Sequence, residues 1–302
     1  MSFASIADVV DVTVHRGPEA RADAPPRILI DIPHGATRTA DFKRLAAMLE
    51  SPLPDDLIAF FHVNTDAGAP ELAEALAAAA VEHDPTISVG ILRCLIPRTF
   101  IDCNRVIDLN PEGPAAGKGM TPGLMPWITS PHDKALLLAR YEAYKGAVER
   151  AAATLPDDGF MVLLHTYAPR TVGVDVDHDI VKNLRAAYVP EVFATWPLRP
   201  PVDLIARTPE GARVIPDALF DALTRELSPL GMAPTDSASY HLHPSTLGAA
   251  WAARFPGRVL CPEVRRDLLV DAFEPFTELA PVAHRTGPIG AAFARALLGS
   301  DA

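Results

Sequence analysis

The chain has 302 residues, 49% of them hydrophobic and 22% charged, with a formal net charge of -11. This is ample apolar material for a large core, and the acidic balance excludes a nucleic-acid or anionic-membrane partner, because no basic stripe is available to neutralise phosphates. No apolar run approaches the roughly 20 residues a bilayer requires, and the opening "MSFASIADVVDV" lacks a basic leader with a long apolar segment, so a soluble, cytoplasmic protein is expected.

The first predicted element is a strand over Arg27 to Pro33, in which "ILIDI" is ended by proline and followed at once by His34 and Gly35. A helix follows over Pro70 to His83, with proline in its first turn and acids early, and then a strand over Ile87 to Arg93. "NPEGPAAGKGMTPGLMPWITS", Asn110 to Ser130, has no regular pattern and reads as a lid or binding loop. Its "GPAAGKG" is not a phosphate-binding loop: three residues, not four, separate the first glycine from Gly-Lys, and Gly119 replaces the hydroxyl residue. Beyond it come a long helix over His132 to Thr154, strands over Phe160 to His165 and Val202 to Ala206, and helices over Pro216 to Leu227 and Leu247 to Arg254. A strand over Arg258 to Val264 and a helix over Pro288 to Leu298 complete the chain. Strands alternating with helices, and no repeat or linker, predict one α/β domain over residues 1–302, with helices on both faces of a mixed, mostly parallel sheet. The three cysteines, Cys94, Cys103 and Cys261, are too few and too scattered for a disulfide framework or a thiolate zinc site.

In open α/β sheets ligands gather beyond the carboxyl ends of strands, and polar residues cluster at those ends here. His34 follows the first strand, with Gly35 beside it leaving room for a substrate backbone to come close; His165 ends "FMVLLH" with Tyr167 two residues on, and Glu263 closes "RVLCPEV". Asp66, in "HVNTDAGAPELA", reads by itself as a helix-capping carboxylate. "PRTFIDCNRVIDLN" sets Arg98, Asp102, Asn104 and Arg105 among apolar residues, and arginines so placed need anions. Two imidazoles and a carboxylate form a ligand set for catalytic zinc, with a further carboxylate available as general base and arginines to stabilise an oxyanion. "SYHLHP" reads as a strand with His241 and His243 on one face, better suited to lining a pocket than to ligation.

Five stretches resemble the N-formylglutamate amidohydrolases, relatives of the zinc carboxypeptidases and aspartoacylases: "IPHGA" (32–36), "NTDAGAPELA" (64–73), "RTFIDCNR" (98–105), "LLHTY" (163–167) and "CPEVRRDLL" (261–269). The resemblance implies a zinc-carboxypeptidase-like fold and one Zn²⁺ held by His34, Asp66 and His165. It further implies Glu263 as general base, Arg98 polarising the scissile carbonyl, and Asn104 and Arg105 on the substrate carboxylate, with Tyr167 also contacting substrate. The carboxypeptidases take a second ligand from His-x-x-Glu, whereas Thr37 stands three residues after His34, so the acidic ligand falls to Asp66. Thr166 stands where family members more often carry serine, and keeps the hydroxyl. The implied reaction is hydrolysis of a small anionic N-acyl amino acid, N-formyl-L-glutamate first, with other N-acyl amino acids or a peptide C-terminus as rivals. A non-catalytic metal or carboxylate binder is the reading from another class. A serine hydrolase is not supported, because the chain has no Gly-x-Ser-x-Gly. No oligomeric state is implied.

Overall fold

A computed structural model describes residues 4–107 and 122–299. The expected 110–130 loop lies outside the described residues up to 121; from 122 to 130 it contains no helix or strand beyond a bridge between Leu124 and Ile101. Among the described residues no helix is long and apolar enough to cross a membrane.

The strands are β1 (Val10–Arg16), β2 (Ile28–Ile32), β3 (Ser88–Cys94), β4 (Phe160–Leu163), β5 (His165–Tyr167), β6 (Val202–Leu204), β7 (Thr235–Asp236), β8 (Val259–Leu260) and β9 (Pro262–Arg265). Five form a sheet in the order β1-β3-β2-β4-β8, parallel throughout except for the β1 edge. The other four run β5-β9-β6-β7, with β6 antiparallel to β9. The sheets are joined twice, by chains that cross from one to the other through a single residue. Leu164 links β4 to β5 and still donates its N–H to Asp31 O at 2.9 Å, while Cys261 links β8 to β9 and accepts from Ile205 N at 2.9 Å.

Alternation along these strands separates two cores. Ile28, Ile30, Ile32, Val162, Leu164 and Val264 face one side, whereas Leu29, Met161, Leu163 and Val259 face the other. The helices are α1 (Thr39–Ala46), α2 (Leu57–Asn64), α3 (Ala69–His83), α4 (Pro131–Ala152), α5 (Ile180–Ala187), α6 (Pro190–Phe193), α7 (Asp217–Leu227), α8 (Leu247–Arg254) and α9 (Ala283–Leu298). Buried residues of α3, α7 and α9 fill the first core; those of α1, α2, α4, α5 and α8 fill the second. The result is the expected helix–sheet–helix layering and mixed, mostly parallel pairing, but the strands expected over Phe160 to His165 and Arg258 to Val264 each break at one residue, so two hydrogen-bonded sheets stand where one is expected.

Two further expectations need correction. Proline is expected to open the last helix at Pro288, but α9 starts at Ala283 and carries Pro288 inside it, because packing against α3 outweighs the one backbone bond lost. His241 to His243 form no strand; they lie in a loop that runs along the site. β7, α1, α2, α5 and α6 are absent from the sequence reading because each is short, with eight residues at most, whereas β1 alternates Val10, Val12 and Val14 with polar residues and is a strand signal that the reading omits.

Helices α3 and α9 approach closely because both present small residues. A Cβ on Gly290 would lie 2.6 Å from Leu76 N and 2.7 Å from Ala75 C, and neither backbone atom can yield. Gly290→Ala is therefore expected to destabilise the fold by about 2–3 kcal/mol, read as a lower midpoint in urea with an unchanged slope.

Candidate active site

β2 ends at Ile32, and the turn that follows, closed by Gly35 N on Ile32 O at 3.1 Å, carries His34. The space expected at Gly35 for a substrate backbone is filled by Arg93, whose Cγ would sit 2.7 Å from a Cβ there. Arg93 Nε donates to Gly35 O at 2.7 Å and so fixes the turn. Asp66 lies between α2 and α3. Thr65 Oγ1 ties this loop to Ala36 O at 2.6 Å, and Thr166 Oγ1 ties it to Ala67 O at 2.9 Å. Those two hydroxyls hold the Asp66 loop between the His34 turn and β5. The Asp66 carboxylate caps no helix; it goes to the imidazoles.

His165 opens β5 and pairs in parallel register with Glu263 of β9, so both side chains leave the same face of the sheet. His165 Nδ1–H donates to Asp66 Oδ2 at 2.8 Å, and His34 Nδ1 lies 3.3 Å from the same oxygen. The two rings are 5.0 Å apart, centroid to centroid. His34, Asp66 and His165 are all buried, and one ligand atom from each lies within 4.8 Å of the others. Burial opposes ionisation of Asp66, yet the two imidazoles outweigh it and hold the carboxyl well below the usual range. Burial also opposes a charge on His165, but its bond to Asp66 raises its pKa on balance.

This donor set fits a cation. His34 Nε2–H donates to Asp102 Oδ1 at 2.8 Å, so a neutral ring turns the lone pair of Nδ1 toward the Asp66 carboxylate. Two acceptors facing each other in a buried site call for a proton or a metal between them. Tetrahedral zinc with ligands at about 2.0–2.1 Å sets its donors roughly 3.3 Å apart, close to the His34–Asp66 spacing. Asp102 would then fix the tautomer of a ligand histidine, as carboxylates behind metal-bound imidazoles do. Asn104 is placed to do the same for His165: its Nδ2 lies 3.3 Å from His165 Nε2, while its Oδ1 is buried without a partner. Exchanging the two ends of that amide lets Oδ1 accept from Nε2–H once Nδ1 is committed to a metal.

Asp102 is the residue the sequence reading noticed without giving a role. Fully buried, it accepts from His34, from Arg98 Nε at 3.1 Å and from Asn104 N at 2.9 Å, and Arg105 Nε approaches to 3.9 Å. Burial works against its charge, but Arg98, His34 and Arg105 keep the carboxyl far below the ordinary value. Asp102→Ala leaves those cations without their buried anion. Expected are a loss of about 3–5 kcal/mol in denaturant unfolding of the metal-free protein and a roughly 10–100-fold weaker metal affinity by competition titration.

Glu263 sits on the wall of a 310 Å³ cavity, with Oε2 buried and unpartnered. Burial pushes its carboxyl above the usual glutamate range despite the nearby His165. His34, Asp66, Arg98, Asn104, Arg105, His165 and Tyr167 line the same cavity, so every predicted site residue reaches it. Tyr167 does so through its ring, because its hydroxyl donates to Pro200 O at 2.7 Å and Arg199 stacks over it at 4.9 Å. His241 and His243 also line the cavity and take no part in the cluster. Sequence reasoning missed Arg199 and Arg266, both at the wall; for Arg266 the signal available was its position three residues after Glu263.

No protein-family profile matches the chain, and no curated protein matches it in sequence. Solved structures do. N-formylglutamate amidohydrolase from Ralstonia eutropha superposes with a TM-score of 0.58 at 18% identity, over 95% of this chain and 97% of that one. A gene product of Agrobacterium tumefaciens gives a TM-score of 0.51 at 16% identity, over 99% and 98% of the two chains. For a metallo-carboxypeptidase from Burkholderia cenocepacia the TM-score is 0.39 at 12% identity, over 96% of this chain and 60% of that one. The chain thus has the fold of N-formylglutamate amidohydrolase, the family its motifs resemble.

Proposed function

We propose that the chain is a metal-dependent amidohydrolase that cleaves a small N-acyl amino acid, with N-formyl-L-glutamate as the leading substrate and zinc as the metal. The observation that carries the reading is the convergence of His34, Asp66 and His165, from three distant segments, in one cavity with Glu263, whose Oε2 is buried without a partner, and the Asp102-bound Arg98. His34 and His165 through Nδ1, and Asp66 through Oδ2, would hold the ion. When bound, it supplies Lewis-acid polarisation and a water acidic enough to ionise near neutral pH.

The protein supplies the rest. Glu263 takes the proton of the attacking water on its carboxylate and returns it to the departing amine nitrogen, a shuttle suited to a carboxyl whose pKa burial has raised. Arg98, oriented by Asp102, donates to the oxygen that gains charge as the amide carbonyl is attacked. Arg105 binds the substrate α-carboxylate by its planar fork, and Asn104 shares its amide between His165 and that carboxylate. The attraction for an anion is thus local and compatible with the net charge of -11.

A second reading keeps the machinery and enlarges the acyl group. Phe60, Val172, Val174, Val176, Ile180 and Leu184 line the same cavity, more apolar wall than a formyl group needs. Formate release from N-formyl-L-glutamate, measured beside N-acetyl and N-butyryl glutamate and a dipeptide, tests both. Turnover of the formyl substrate at the highest kcat/KM supports the first reading; clear preference for a longer acyl group replaces it with the second. No turnover of any amide by the zinc-loaded protein overturns the enzyme assignment.

A further inference from the structure

Arg266 is 5% exposed and lines the cavity, yet among the described residues no carboxylate lies within 4.0 Å of it. Its Nη1 donates to Val63 O at 2.8 Å, and its Nε is buried without a partner. Asn64, the residue after Val63 at the end of α2, also lines the cavity, and its Nδ2 is likewise buried without a partner. The contact with Val63 O places the guanidinium within one residue of that amide. Burial lowers the pKa of Arg266, opposed by Asp66, Tyr188 and Glu263, with Arg199 adding repulsion. Asp66 is committed to two imidazoles, so it does not neutralise Arg266. A desolvated guanidinium with no carboxylate in contact is costly in the free protein, and an anion brought by a ligand reduces that cost. The neighbouring amide supplies a second N–H donor, and the pair suits the two oxygens of a carboxylate.

We propose that Arg266 and Asn64 form a second carboxylate subsite, distinct from Arg98 and Arg105 at Asp102, which selects N-acyl derivatives of dicarboxylic amino acids by their side-chain carboxylate. This rests on the amidohydrolase reading above and adds to it the residues that set specificity. The substrate is then held at both ends, with one carboxylate at Arg105 and the other at Arg266, and the amide lies between them at the His34–Asp66–His165 cluster.

The test compares kcat/KM for N-formyl-L-glutamate and N-formyl-L-glutamine, which differ only in that carboxylate. The zinc-loaded protein is expected to prefer the acid by about 100-fold, as sites with a buried polar group to satisfy do. Arg266→Gln is expected to lose at least about tenfold more on the acid than on the amide. Asn64→Asp places an internal carboxylate beside the guanidinium; it is expected to raise Tm and to abolish the preference. An equal fall on both substrates in Arg266→Gln, or a preference that survives in Asn64→Asp, overturns the subsite. If Arg266→Gln does not fold, Asn64→Asp decides. If the wild-type protein hydrolyses neither substrate, the enzyme reading falls and the subsite is judged by calorimetry with glutarate. Binding that Asn64→Asp weakens at least about tenfold then upholds it, and absent or unaffected binding rejects it.

Discussion

Asp66→Asn, purified from zinc-supplemented medium, is expected to carry little or no metal and to lose about four orders of magnitude in kcat/KM, because the water it must ionise returns toward its ordinary acidity. Asp66 is the only anion in the three-residue cluster, and its Oδ2 is the point on which both imidazole Nδ1 atoms converge. An amide there is a poor ligand and can turn an NH₂ group toward the rings. Elemental analysis and formate release give the two readouts. Full metal content with full activity in the variant would remove Asp66 from the ligand set. The metal-free protein offers a third readout. The folded pKa of Asp66 lies below the unfolded value of about 3.9, so its ionisation stabilises the fold above that pH and the contribution fades as pH falls. The apo wild-type protein is expected to lose Tm below about pH 4, and apo Asp66→Asn to lose less over the same interval.

Glu263→Gln is expected to separate catalysis from stability. Turnover should fall by about 10²–10⁴, the usual range for losing a general acid–base, while metal content stays at the wild-type level. Stability should rise by about 1 kcal/mol, because the variant removes a charge that burial disfavours and that no hydrogen bond at Oε2 compensates. The sign follows from the raised folded pKa: the wild-type protein loses stability as pH climbs from the ordinary glutamate range through the raised one, and the glutamine variant does not. A calorimetric scan of the metal-free pair across pH 4–8 measures this directly. Unchanged turnover would remove Glu263 from the mechanism, and a lower Tm would mean that the carboxylate is satisfied in solution.

Much of the site was legible because strands announce their own ends. "ILIDIPH" and "FMVLLH" are apolar runs that stop at a histidine, and a parallel sheet brings such endpoints together whatever their distance in the chain. Asp66 needed the family resemblance, since a lone aspartate before a helix has an ordinary capping role that the structure does not use. The role of Asp102 was hidden for a different reason. Its four partners come from the His34 turn and from its own short segment, and no periodicity encodes a turn that folds its own side chains around one carboxylate. Gly35 was misread because its contact, Arg93, is supplied by β3 and cannot be inferred locally. β1 was legible and is simply omitted from the reading: "VDVTVHR" alternates apolar and polar residues as a half-exposed edge strand does.

The one-residue joints at Leu164 and Cys261 bear on how this chain tolerates changes of length. Side-chain alternation runs unbroken through both: Leu163, His165 and Tyr167 share a face, as do Val259, Cys261 and Glu263. Deleting or inserting one residue at either joint would invert the strand downstream, sending His165 or Glu263 into the opposite core and, at the second joint, Val264 toward the cavity. Surface turns such as 208–211 face no such parity constraint. Insertions and deletions compatible with activity should therefore collect in the turns and avoid both crossings.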